Sequence, residues 1–470
     1  MSKSVAILGG GVAGIAAAVA LSEAGFHIEL IEKRPLLGGR ASSFVDHETG
    51  ERLDECQHGT MRCCTNLDDL LTRLGVAEQI DYHEAIHFLD GDGKHSVIAN
   101  CPLPAPMHTA ISFVCFRSLS LRDKIGIGRA MMAMLRSKPN PKYDALSMAD
   151  WFTQMGQTQQ AVKRFWRPVL VSACNEELER IACRHGFKIF RDGFLKNARA
   201  FHFGIPRVPL GTLYTEPTLA YLQQRGGCVH LKTTISDIHF SDNRVAGLTL
   251  SNGETITADY YLSSLQCDVL LKMLPPEITT NTPYWQNLGH IELVPICGVH
   301  LWFDRAIDCP PALAVLDRTT EWIFNKTTTW NLPPERGTYL SIVVSASRSL
   351  AQRSKEEIVA EILAEVRACV PSAQSAKVVR SQVIRYPKAT ISPKPGVEAY
   401  RPDQRSPIPN FFVAGEWTQT GWPSTMEGAA RSGYRAAEYI LQDDGRPKSL
   451  IVPDLPPSRL AALLDGHRGR

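Results

Sequence analysis

The sequence predicts an α/β fold of two interleaved domains, and two segments at opposite ends of the chain carry that prediction. Near the amino terminus an apolar run, Val5 to Leu8, leads into Gly9-x-Gly11-x-x-Gly14 and then an alanine-rich helix that stops at Gly25. Near the carboxyl terminus a second apolar run, Phe411 to Ala414, leads through Gly415-Glu416 and a loop into a helix from about Thr425 to about Leu441.

The first segment opens a Rossmann-like βαβ unit. Gly9 permits the tight turn, Gly11 lets backbone approach a pyrophosphate, and Gly14 allows the helix to pack closely on the strand. The first helical turn, which holds Ala13, then faces the phosphates. The next strand, His27 to Glu32, ends in an acid placed to accept hydrogen bonds from a ribose, with Lys33 beside it. These features predict a bound dinucleotide. The loop that follows discriminates between dinucleotides. In a nicotinamide enzyme it would run into another crossover helix, whereas Gly38, Gly39 and Arg40 offer bare backbone and a fixed positive charge beneath a larger cofactor.

The carboxyl-terminal segment points to a flavin. When an isoalloxazine accepts a hydride, negative charge gathers at its N1 and C2-carbonyl edge, and a helix N-terminus aimed there stabilises it. Ser424 or Thr425 can cap that helix. Met426 lies in its first turn, and Gly428, Ala429 and Ala430 are small enough for a ring to lie close to the backbone. The two ends together predict FAD, contacted by Gly9, Gly11, Ala13, Gly14, Glu32, Lys33, Gly39, Arg40, Gly415, Glu416, Thr425, Met426 and Ala429. Ile235, in a run of short strands from Cys228 to Ser263, is a candidate backbone contact to adenine.

A chain of 470 residues with 44% hydrophobic content suits two domains rather than one small core. The periodicities place a cofactor domain in 1–80, 208–275 and 400–445. A mixed α+β substrate domain takes 81–207, with a helical cap, and 276–399. Residues 446–470, rich in proline and arginine, are expected as a flexible tail. The net charge of +3 is nearly balanced, and no basic arm or aromatic-interleaved basic patch supports nucleic-acid binding. The first strand begins within a few residues of Met1, so no signal peptide is expected and the twelve cysteines belong in a reducing cytosol. No Cys-x-x-Cys occurs and the adjacent pair Cys63-Cys64 is poorly placed to bond, so buried apolar roles are expected.

His83-Glu-Ala-Ile-His87 matches a zinc-protease pattern that works only on a helix. Here Tyr82, Glu84, Ile86 and Phe88 alternate with other residues, and Asp90-Gly-Asp-Gly93 supplies a hairpin turn, so a strand and no metal are expected. No apolar run is long enough to span a bilayer. Residues 117–142 do combine seven basic residues and a single acid, Asp123, with Leu121, Ile125, Ile127, Met131, Met132, Met134 and Leu135. On its own this reads as a solvated face over ordinary core. If the substrate is a lipid, it reads as a membrane-surface helix.

Along nearly its whole length the sequence resembles the squalene-associated FAD-dependent desaturases, or hydroxysqualene dehydroxylases, within the phytoene desaturase and amine oxidase superfamily. The superfamily resemblance rests on Gly9 to Gly14, Glu32, Gly38-Gly-Arg40 and Gly415-Glu416. The narrower one rests on Leu53-Asp-Glu-Cys-Gln-His58, Leu103-Pro-Ala-Pro106, Ile205-Pro-Arg-Val-Pro-Leu210, Val299-His-Leu-Trp-Phe-Asp304, Trp322-Ile-Phe-Asn325 and Gly421-Trp-Pro-Ser-Thr-Met-Glu427. The commoner family form has Gly at the position of Cys56. The resemblance implies FAD-dependent reductive dehydroxylation of hydroxysqualene to squalene for hopanoid or related triterpene synthesis, with hydride from reduced flavin replacing a hydroxyl that leaves as water. His58 is the nominated proton donor and Glu55 the alternative. It further implies an isoprenoid lipid substrate, squalene-pathway enzymes as partners, and a cytoplasmic protein lying peripherally on the inner face of the membrane through 117–142. Three other functions stay open: a carotenoid (phytoene-type) desaturase or isomerase, an amine oxidase using Trp417 and Trp422 as a cage, and a non-catalytic flavin-binding isoprenoid carrier.

Overall fold

Five short parallel strands join the chain's two ends in one sheet. The computed structural model describes residues 3–138 and 140–465. In it β1 (Ser4–Leu8), β2 (His27–Ile31), β3 (Cys228–His230), β4 (Tyr260–Ser263) and β5 (Phe411–Val413) lie in the order β3-β2-β1-β4-β5. The register sets Leu8 opposite Ile31 and Ser263, and Ser263 opposite Val413. The inner strands are covered on both faces, which is why they read as unbroken apolar runs rather than alternating ones.

Helix α1 (Val12–Glu23) is almost wholly buried. Small residues line it because it lies between the sheet and α2 (Met426–Asp443), and no amphipathic stripe is needed on a helix with no wet side. The crossing is close: a Cβ on Gly433 would stand 2.2 Å from the Ala13 carbonyl oxygen and 2.9 Å from the Ala16 Cβ. The other face of the sheet, through Ala6, Leu8 and Ile31, packs on a three-stranded meander that contributes Ile238, Val245, Leu248 and Leu250.

A second, seven-stranded sheet runs in the order Val378–Ile391, Leu293–Phe303, Thr338–Val344, Trp322–Asn325, Ala312–Val315, Ala85–Leu89, His95–Ala99. Helix Lys355–Cys369 covers one face with Ile358, Ile362 and Val366. A helical layer between residues 110 and 200 covers the other, centred on the buried rings of Phe152, Trp166 and Phe190. His83 and His87 sit on the strands Ile80–His83 and Ala85–Leu89, and the hairpin to His95–Ala99 brings His87 Nδ1 within 3.1 Å of His95 Nε2. The twelve cysteines are free thiols.

The tail departs from expectation. Residues 446–465 are not loose: Leu450 and Ala461 are buried, Val452 donates to Asn66 Oδ1 at 2.9 Å, and Ser458 caps a last short helix, Arg459–Leu464. A stretch rich in proline lacks regular structure but can still lie extended along a surface when its backbone finds partners. Residues 466–470 lie outside the described part.

Gly433→Val should force α1 and α2 apart. We expect a cost of about 3 kcal/mol from overpacking, read as a lower urea-unfolding midpoint.

Candidate functional site

The carboxyl ends of β1 and β2 open onto a slit with almost no side chains in it. Gly14 approaches Gly9 so closely that a Cβ there would sit 2.2 Å from the Gly9 carbonyl oxygen. Gly39, at φ +64°, would bring a Cβ to 3.0 Å from the Gly11 Cα. Gly11 itself would meet nothing nearer than 3.9 Å. It is also the N-cap residue of α1 and, lacking a side chain, leaves that helix's first-turn amides uncapped, the arrangement that receives a phosphate. Ala13, in that turn, is buried beside α2.

Glu32 is buried and ties the rim of the slit together, accepting from Gly10 N at 2.8 Å and Arg34 N at 2.9 Å. Lys33 is exposed beside it. The segment before Ile235 runs alongside, with Thr233 N donating to Glu32 O at 3.0 Å and Ile235 half-buried. Arg40 forms an ion pair with Glu416 and donates to Ala389 O at 2.6 Å, so one side chain joins the amino-terminal loop, the carboxyl-terminal loop and a strand of the second sheet. Gly415 N is held by Ser432 Oγ at 2.8 Å. Thr425, rather than Ser424, caps α2, accepting from Gly428 N at 3.1 Å. Met426 and Ala429 are half-buried on the first turns, and Tyr214 OH lies 3.5 Å from Met426 Sδ.

Around this slit several buried polar atoms have no protein partner: Gln57 Oε1, Glu416 Oε1, Ser263 Oγ and Ser424 Oγ. Unpaired buried polar groups are costly, and their concentration beside a glycine-lined gap fits a polar ligand that supplies the missing bonds. Arg401 was not visible from the sequence as part of the site. It is only 1% exposed and donates to the carbonyls of Glu416, Thr418 and Trp422 at 2.6–3.0 Å, which fixes the loop leading into α2.

From Asp54 to Thr60 the chain passes between the two sheets. Asp54 and Lys326 form an ion pair at 2.9 Å with neither side chain exposed, and Asp54 also accepts from Ser43 Oγ and Leu210 N at 2.8 Å. Burial pulls the Lys326 ammonium below the usual lysine range. His300 donates to or accepts from Tyr339 OH at 2.7 Å through Nδ1, and burial, aided by the Lys326 charge, brings it down to about 3. Cys56 replaces a glycine of the resembled families, and Gly298 on the facing strand makes room for it, since a Cβ there would stand 3.0 Å from the Cys56 sulfur. Burial pushes that thiol far up, so it is an inert filler and not a nucleophile.

The two nominated acids fare differently. Glu55 gives its Oε1 to the Arg34 guanidinium, which makes it an anchor for the loop and takes it out of contention as a free proton donor. His58 rests its Nδ1 3.1 Å from Cys56 O. Burial first, then the charges of Arg40 and Lys326, hold its imidazole below the usual histidine range. At neutral pH it is therefore a proton acceptor, the reverse of the expected role.

Beyond Gly59 lies a cavity of about 370 Å³ whose lining includes Tyr82, His87, Asn100, Phe203 and Trp322. Its inner wall touches the same loop: a Cβ on Gly59 would fall 2.4 Å from the Phe203 ring. Phe203 stacks on Trp322 at 5.6 Å between centroids, and Trp322 on Phe324 at 5.8 Å, which makes this wall flat and apolar. Trp417 and Trp422 do not form a cage. Trp417 is fully buried and donates to Leu265 O at 3.1 Å, while the ring of Trp422 is flanked by Lys188 and Arg431. Away from the site, His27, Glu29 and Cys228 bring possible metal-ligand atoms within 4.8 Å of one another, with Glu29 already engaged by His27 and His230.

Residues 12–441 match the family described as flavin containing amine oxidoreductase. Zeta-carotene desaturase of Synechocystis sp. is 27% identical over 486 residues, covering 95% of this chain and 99% of that protein. The 15-cis-phytoene desaturase of Synechococcus elongatus is 26% identical over 480 residues, covering 95% and 98%. Among solved structures, an oxidoreductase from Methanosarcina mazei superposes with a TM-score of 0.70 at 16% identity, over 92% of this chain and 98% of that one. Putrescine oxidase bound to putrescine gives 0.70 at 16% identity, over 94% and 99%.

Arg40→Ala should leave Glu416 buried and unpaired. A cost on the order of 3 kcal/mol is expected, and the purified variant should carry less flavin per polypeptide by absorbance than Arg40→Lys.

Proposed function

The chain belongs to the flavin-containing amine oxidoreductase family and its cofactor is FAD; from this premise we propose that it oxidises a long acyclic isoprenoid in the manner of a carotenoid desaturase. FAD, when bound, supplies a two-electron acceptor. The chain's own residues do the rest. The Phe203, Trp322 and Phe324 stack offers a flat wall to a polyene, and the wall ends at the loop Gln57–Gly59. Desaturation removes a hydride from one carbon and a proton from its neighbour as the double bond forms, so it needs a base and no acid.

The observation that carries the reading is the neutral His58 imidazole at the inner end of an apolar cavity. A base of lowered pKa stays unprotonated at working pH and needs no counter-ion in a dry site. The relatives point the same way, since their printed activities are carotenoid desaturations. An amine oxidase is disfavoured because both tryptophans proposed for its cage are occupied by the protein itself.

A second reading, replacement of the hydroxyl of hydroxysqualene by hydride, draws on Lys326. It would run the flavin in its reduced form and would need a proton donor, and the ammonium buried against Asp54 is a cationic group close enough to depress both His58 and His300.

Anaerobic mixing separates the two. Oxidised holoprotein with phytoene or zeta-carotene should bleach its flavin and yield a product lighter by two hydrogens. If polyenes leave the flavin unchanged while hydroxysqualene reoxidises the prereduced protein and squalene appears, the first reading falls and the second takes its place.

The pH dependence follows from the base. His58 works in its neutral form, which dominates above its pKa, and that pKa lies below 6.5. Desaturation kcat/KM should therefore rise with pH to a plateau, with the half-rise below pH 6.5. His58→Gln should abolish this limb and lower kcat/KM by about 100-fold or more.

A further inference from the structure

We propose that residues 103–125 form a surface that seats the protein on an anionic lipid bilayer and turns the mouth of the cavity toward it. The inference rests in part on the isoprenoid reading above, because an apolar substrate gives the surface something to collect.

Among the described residues nine large apolar side chains are exposed, and six of them fall within this short stretch: Leu103, Met107, Ile111, Val114, Leu121 and Ile125, between 44% and 74% accessible. Scattered single exposures are ordinary, but a cluster in one segment is not. The sequence pattern had suggested that the methionine-rich face of the helix Leu121–Arg136 would do the docking. The structure turns that face inward, with Ile127, Ala130, Met134 and Leu135 buried. Only the first turns of the helix, Leu121 and Ile125, join the exposed cluster.

Charge around the cluster has one sign. Arg117, Arg122 and Arg129 are exposed, and Lys124 reaches back to Val114 O at 2.6 Å. The single acid between 101 and 142 is Asp123, which is buried, capped against Ser120 and bonded to Thr158. Apolar side chains ringed by unopposed arginines match a bilayer bearing acidic headgroups, where each basic residue near the surface adds roughly fivefold to partitioning. Among the described residues no helix is long and apolar enough to cross a membrane, so the contact is a surface one.

The patch adjoins the cavity. Ser112, on the short helix Ala110–Val114, accepts from Ala99 N at 3.0 Å and donates to Ala99 O at 2.9 Å. Ala99 and Asn100 line the cavity. A side chain pushed into lipid at Ile111 or Val114 thus lies next to the rim through which an isoprenoid would pass.

The test is co-sedimentation of the full-length holoprotein with vesicles of phosphatidylcholine alone or mixed with phosphatidylglycerol. We expect binding to the anionic vesicles that falls as salt rises, and at least tenfold weaker binding for the pair Ile111→Asp and Val114→Asp. Arg122→Glu with Lys124→Glu should abolish the preference for anionic lipid. Val379→Asp, at an exposed apolar position far along the chain, should bind as wild type. Unchanged flavin content in each variant shows that it has folded. Wild-type indifference to anionic vesicles, or aspartate variants that bind like wild type, overturns the proposal. So does a dimer in solution that the same variants dissolve, since the patch would then be covered by a second copy. Vesicle binding without turnover of any isoprenoid leaves the docking surface standing and removes the functional reading instead.

Discussion

Gly433 meets Ala13 with no side chain between them, and that contact decides where a cofactor can lie. Bringing α1 and α2 so close aligns the carboxyl ends of β1 and β5 and points two helix N-termini into one slit. A methyl group at the crossing would widen the gap and tilt both helices. The Arg40 and Glu416 pair then closes the slit from below, because its partners lie 376 residues apart in sequence and its third bond, to Ala389 O, reaches the second sheet. The cofactor cradle and the substrate cavity are therefore set relative to one another by one arginine and one backbone contact.

Protonation in the space between the sheets is governed by burial more than by pairing. Asp54 and Lys326 sit where each needs the other, since a lone charge in that interior would cost several kcal/mol. Their presence in turn keeps the neighbouring imidazoles neutral, through the ammonium's repulsion and the lack of water. A buried ion pair of this kind contributes little net stability. Its effect is to set the proton inventory of the adjoining cavity, and it explains why the histidine nearest the flavin-facing loop accepts rather than donates.

Much of the fold was legible in the sequence because its constraints are local. A glycine forced by a carbonyl at 2.2 Å, a threonine capping a helix and an apolar strand buried on both faces each leave a mark within a few residues. Arg401 left no such mark: it acts through three carbonyls of a loop 15 to 21 residues further on, and nothing around it in the chain distinguishes it from a surface arginine. Lys326 was equally silent, although the stretch just before it, Trp322 to Asn325, was already among those that carry the resemblance. The helix Leu121–Arg136 shows the limit of pattern reading. Its amphipathicity was plain, but periodicity says only that one face is apolar and cannot say whether that face meets protein or lipid.

The direction of the chemistry follows from the same physics. Both reactions considered for this cavity move a hydride across the same flavin face, and they differ in the proton. Dehydroxylation must deliver one to an oxygen, and a donor held in an apolar pocket pays desolvation to carry its charge before the reaction begins. Desaturation must receive one, and an acceptor that is neutral beforehand meets no such cost until the proton arrives. His58 and His300 are both held neutral, and Cys56 is too weak an acid to serve. The remaining cation, Lys326, already spends its charge on Asp54, and giving up a proton would strand that carboxylate in the interior. The cluster is thus arranged to take protons more readily than to give them, which is why the oxidising direction is the better match to this site.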